Sequence, residues 1–179
     1  MTDPDAGLVD PHLRSATLEI EAHAAELGWD RGARLFALVP TGDLLAREPG
    51  LAKALGVESA EEGALTPVEQ DALPPDRSLE EVLGGIMWPA EVFGCAAVVE
   101  RLVLPPSADA EMPQDPDAAQ EFAAAHPDRQ EVRMVAAATR DGSTYCTLRL
   151  RAHDDGASVL EGTDLVPALL ELLHGTLEQ

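Results

Sequence analysis

The stretch EVRMVAAATRDGSTYCTLRLRA, residues 131–152, constrains the fold more than any other part of the chain. Two strand-forming runs flank Asp141-Gly142, a dipeptide whose backbone preferences suit a tight hairpin turn. A two-residue turn there sets Arg140 opposite Ser143 and predicts the pairs Ala137–Cys146, Val135–Leu148 and Arg133–Leu150. Opposed residues share a face, so this register puts Val135, Ala137, Cys146, Leu148 and Leu150 on a core face. Tyr145, Thr147, Arg149 and Arg151 then share the other face with Val132, Met134 and Ala136. One antiparallel pair is thereby required, and the rest of the chain has to cover it.

The densest apolar run, GGIMWPAEVFGCAAVVERLVLPP (84–106), predicts a helix end, a break at Pro89 and a strand over 93–104. Neither alternating face of that strand is polar throughout, as in a central strand covered on both sides. Glu100 and Arg101 then need partners, and Gly94 is a position of close approach or a bulge. A third strand is read at RLFALV (34–39), bounded by Gly32 and Pro40.

Helices fill the intervals. Asp10-Pro11 combines a side-chain acceptor with a proline whose φ suits a first turn. Leu13, Thr17, Ile20, Ala24 and Leu27 follow at helical spacing, and Gly28 ends a helix over 11–27, with Trp29 set to fold back on its last turn. Residues 41–56 read as helical, with Thr41 as cap and a split near Pro49. Most of 57–77 reads as loop, with TPVE (66–69) capping a short helix. Ser78 and Glu81 make a second capping box, Asp115-Pro116 starts an Ala-rich helix, and Thr163-Asp164 start a final one containing Pro167 in its first turn. The sum is an α+β domain over 10–179. About four largely antiparallel strands are packed by N-terminal, middle and C-terminal helices, and 1–9 form a flexible acidic tail.

The 179 residues suit one domain. Their formal charge of −21 repels phosphate backbones and anionic lipid surfaces, so direct nucleic-acid binding is disfavoured. The charge reads as solvated surface rather than as a nucleic-acid mimic. No run of about 18 uncharged apolar residues is present, so no integral membrane span is expected. The acidic, apolar-poor start MTDPDAGLVDP is the reverse of a secretory signal, and the expected location is cytoplasmic.

Candidate chemistry is sparse. Cys95 and Cys146 lie in apolar strand-like runs without a Cys-x-x-Cys pair and read as buried reduced thiols. No Gly-rich phosphate loop and no Gly-x-Ser-x-Gly setting occurs. The five histidines are scattered, so no metal site and no cofactor is expected. Trp29, Trp88 and Tyr145 read as core, with groove lining as the alternative. The most pointed constellation is Arg149, Arg151, His153, Asp154 and Asp155. Alternation puts both arginines on one strand face, where they can hold a carboxylate or phosphate bidentately. The competing reading, which we favour, pairs them with the chain's own carboxylates.

Four stretches, GWDRGARLFALVPT (28–41), WPAEVFGCAAVVERLVLPP (88–106), AAAHPDRQEVRMV (123–135) and LRLRAHDDG (148–156), together resemble an uncharacterised family of small actinobacterial proteins. The resemblance covers most of the chain from Gly28 onward. It implies a bacterial cytoplasmic setting and carries no activity, cofactor or site residue with it. The functional expectation is therefore a non-enzymatic interaction, adaptor or chaperone-like module, acting on a protein partner or self-associating as a homodimer. The alternative is a small-anion binder or enzyme using Arg149, Arg151, His153 and Asp154.

Overall fold

The computed structural model describes residues 9–74, 76–154 and 158–178. The chain begins with α1 (Pro11–Leu27), where the Asp10 carboxylate accepts from the amides of His12 and Leu13. Gly28, at φ 84°, ends the helix and donates its amide to the Ala24 carbonyl. Then come β1 (Arg34–Pro40), α2 (Thr41–Arg47) and α3 (Pro49–Ala54), the last two separated at Glu48 ahead of Pro49. Strand β2 (Leu65–Glu69), α4 (Leu79–Leu83) and β3 (Gly94–Val103) follow. After α5 (Pro116–Ala125) the hairpin of β4 (Gln130–Thr139) and β5 (Thr144–Leu150) leads to β6 (Leu160–Gly162) and α6 (Pro167–Leu177).

The strands form one antiparallel sheet in the order β2-β1-β3-β4-β5-β6. Helix α1 covers one face, packing Leu13, Ala16, Ile20 and Ala24 on Phe36, Leu38, Ala96, Val98, Val135 and Ala137. Helices α4 and α6 cover the other, setting Leu79, Leu83, Leu170, Leu173 and Leu177 on Leu35, Ala37, Cys95, Ala97 and Ala136. Small side chains in the two central strands let both helical layers approach closely. At Gly94 the approach is closest, since a Cβ there would lie 2.6 Å from the Ala138 carbonyl oxygen. Central placement of the 93–104 strand is thus explained by burial on both faces.

The sheet has six strands, where about four are expected from the sequence. TPVE does not cap a helix but lies in β2, with Val68 opposite Ala37 and Pro67 opposite Leu38. Gln70 donates its amide inward to the Leu35 carbonyl. By alternation Pro67 occupies an outward-facing position, where a missing N–H costs no ladder bond. The Thr66 and Thr41 hydroxyls bond each other at 2.8 Å, so Thr41 is inside α2 rather than its cap. The other missed strand, β6, is only three residues long, and α6 starts at Pro167, later than Thr163-Asp164 implies.

The hairpin register also differs, by one residue. Gly142 sits at φ 90° and donates its amide to Thr139, whose own amide bonds the Ser143 carbonyl. The connection is therefore a three-residue loop, a turn followed by a left-handed glycine. The pairs become Ala136–Cys146, Val135–Thr147 and Arg133–Arg149. A one-residue slip exchanges faces: Cys146 and Leu148 join Ala136 and Met134, while Tyr145, Thr147 and Arg149 join Val135 and Ala137 beneath α1. Of the expected tail, residues 1–8 lie outside the described residues.

Candidate functional site

The corrected register brings Arg133 and Arg149 side by side under α1, where Glu21 is their buried carboxylate. Arg149 Nε donates to Glu21 Oε1 at 2.9 Å and its Nη1 to Asp154 Oδ1 at 2.9 Å. Burial works to lower the Arg149 pKa, but the bonds to Glu21 and Asp154 outweigh it and hold the guanidinium charged. Arg133, only 2% exposed, stacks 4.6 Å from the Trp29 ring and lies 3.8 Å from Glu21 Oε2. Its burial pulls its pKa below the usual arginine value.

Trp29 lies over both strands' ends. Its indole N–H donates to Asp154 Oδ2 at 2.9 Å, and Arg151 stacks on the same ring at 5.6 Å. Arg151 is itself paired with Asp30 at 2.8 Å and with Glu131 at 3.0 Å. The Asp30 and Arg31 amides donate to the Glu100 carboxylate at 2.8 and 2.7 Å, which accounts for Glu100, while Arg101 pairs with Glu80. His153 is exposed in a short 3-10 turn, and Asp155 lies outside the described residues. The structure thus brings Arg149, Arg151 and Asp154 together, and both guanidinium groups point at carboxylates of the chain itself.

The cysteines are free, buried and two strands apart, on the order of 10 Å. Cys95 Sγ lies 3.5 Å from the Thr176 hydroxyl, which also receives the Trp88 indole N–H at 2.9 Å. Burial pushes the Cys95 thiol up to about 11, so it stays protonated and unreactive at neutral pH. Among the described residues no three His, Cys, Asp or Glu side chains converge as metal ligands, and no helix is long and apolar enough to cross a membrane.

A second place is concave. Beside β1 and β2, on the α6 face, a cavity of about 320 Å³ opens between α2–α3 and the segment Trp88–Val92. Ala37, Val39, Val68, Leu44, Trp88 and Val92 form an apolar floor, and the 40% exposed Leu51 forms a wall. Asp43, Arg47, Glu48 and Glu91 line its mouth, all of them exposed. Arg140 fixes the back of this groove, its guanidinium donating to the carbonyls of Val92 at 2.8 Å, Trp88 at 3.1 Å and Pro89 at 3.0 Å.

A family model matches residues 13–178, from the first buried leucine of α1 to the end of α6. The chain belongs to the PPA1309-like protein family. No curated protein matches it, and no solved structure does. The match to the PPA1309-like family includes both the Glu21–Arg149 cluster and every residue of the groove. In this PPA1309-like chain the groove escapes sequence reasoning because its walls come from three separated stretches, 37–51, 68–70 and 88–92. Trp88 was its one legible mark: it is core, and it is also groove floor.

Proposed function

We propose that this PPA1309-like protein is a cytoplasmic, non-enzymatic interaction module, adaptor- or chaperone-like, that receives part of another protein in the groove between α2–α3 and Trp88. The observation that carries the reading is an open apolar concavity of about 320 Å³ whose floor residues Ala37, Trp88 and Val92 belong to the core under α4 and α6. Its volume is at the low end of small ligand pockets (roughly 300–1,000 Å³), enough for a few anchoring side chains. The Arg140 bonds to three carbonyls hold the back wall in place without a ligand, so little ordering cost attends binding.

The alternative, an anion site or catalytic centre at Arg149, Arg151, His153 and Asp154, requires cations with donors to spare. Arg149 and Arg151 already face Glu21, Asp154, Asp30 and Glu131, so an incoming anion has to displace a carboxylate from each. The groove is the better supported site.

A photo-crosslinking side chain placed at Leu51, and separately at His153, in producing cells tests the choice. A discrete protein adduct from position 51 and none from position 153 is expected. An adduct from position 153 alone, or none from either, contradicts the proposal.

A further inference from the structure

The arginines elsewhere in the chain are engaged. Arg14, Arg34, Arg101, Arg133, Arg149 and Arg151 face carboxylates, and Arg31, Arg77, Arg129 and Arg140 donate to backbone carbonyls. The mouth of the groove is different. Asp43, Glu48 and Glu91 make no ion pair or hydrogen bond with another described side chain, nor does Arg47. Three solvated carboxylates and one cation therefore surround an apolar floor, and the local balance is negative, in a chain of formal charge −21.

We infer that the groove's occupant is a basic segment of a partner protein, with a bulky apolar side chain seated between Leu51 and Trp88 and Lys or Arg flanking it toward Asp43, Glu48 and Glu91. The inference rests on the groove being the interaction site. Exposed ion pairs are individually weak, so the apolar anchor supplies most of the affinity and the rim supplies selection and approach rate. A second copy of this chain is the wrong partner, because two strongly acidic surfaces repel. Nucleic acid and anionic lipid are excluded on the same ground.

Three fluorescein-labelled nonapeptides sharing a central Leu-Phe-Leu, flanked by Lys, Gln or Glu, are titrated against the full chain and read by anisotropy. The Lys-flanked peptide is expected to bind about tenfold tighter than the Gln-flanked one, with the preference fading at 0.5 M salt as screening shortens to a few Å. Leu51→Gln is expected to weaken both about fivefold, because the anchor loses an apolar wall. The triple variant Asp43→Lys, Glu48→Lys and Glu91→Lys leaves the chain strongly acidic, yet is expected to turn the preference toward the Glu-flanked peptide.

Equal binding of all three peptides, lost together in Leu51→Gln, overturns the basic partner while leaving the groove as the site. Binding of the Lys-flanked peptide that neither Leu51→Gln nor the triple variant alters is diffuse attraction to the acidic surface, and overturns both. If none of the three peptides binds, the basic-anchor inference is overturned, and the crosslinking at position 51 then decides the groove separately.

Discussion

Glu21 in α1 and Arg149 in β5 meet at 2.9 Å across the helix–sheet interface, 128 residues apart in sequence. Two buried guanidinium groups, Arg149 and Arg133, depend on that one buried carboxylate, with Asp154 helping from the rim. Removing one partner of a buried pair leaves an uncompensated charge and costs about 3–5 kcal/mol. Glu21→Ala should therefore lower the unfolding free energy by about that much in urea titration. A loss below about 1 kcal/mol would show the cluster to be wet and weakly coupled.

The three-residue turn of the hairpin makes a separate prediction. Gly142 sits at φ 90°, and a Cβ there meets nothing within 4 Å, so the cost of a side chain is conformational alone. Gly142→Ala should destabilise by about 1–2 kcal/mol. The register of the hairpin should survive, with Arg133 and Arg149 still opposed in cross-strand nuclear Overhauser contacts. An unchanged stability would contradict the left-handed backbone at Gly142.

Cys95 is a core filler. With its thiol raised to about 11 and its side chain fully buried, it should resist alkylation at pH 8 in the native protein and react on unfolding. Cys95→Ala should cost stability while leaving partner binding at the groove unchanged. Rapid modification of the native chain at this position would contradict its burial.

Asp30 and Asp154 couple the fold to acid. The Arg151 hydrogen bond holds Asp30 below the ordinary carboxylate range, and the Trp29 indole, aided by Arg149, does the same for Asp154. A depressed carboxyl pKa stabilises the folded state above the unfolded value near 4 and ceases to do so as pH falls through the folded value. Asp154→Asn should thus be less stable than the parent at pH 7, with the gap closing toward pH 2. A gap independent of pH would mean that Asp154 acts through packing instead of charge.

Much of the scaffold is readable from local chemistry. Asp10-Pro11, Gly28, Ser78 and Asp115-Pro116 each mark a helix end through short-range bonds that their own neighbours complete, and Pro49 marks one through its ring, which restricts Glu48. The edge strands are harder. Pro67 argues against a strand until its outward position at the sheet edge is known, and three residues of β6 give no periodicity to read. The hairpin is legible and its register is not, because a third residue in the connection exchanges the faces of every residue in β5. That slip hid the Arg133–Arg149 pairing, and with it Glu21, whose role depends on a helix packed from the far end of the chain. The groove is less legible still. Val39, Leu44, Leu51, Val68 and Val92 read as ordinary core or surface residues until the sheet and α2–α3 bring them together.

Backbone amide NMR tests the central claim most directly. In a titration of the isotope-labelled chain with the Lys-flanked peptide, shifts are expected at Val39, Leu44, Leu51, Val68 and Val92 and at the Trp88 indole N–H. Residues Trp29, Arg149, Arg151 and His153 should stay still. Shifts confined to that second group, with the groove silent, would contradict it.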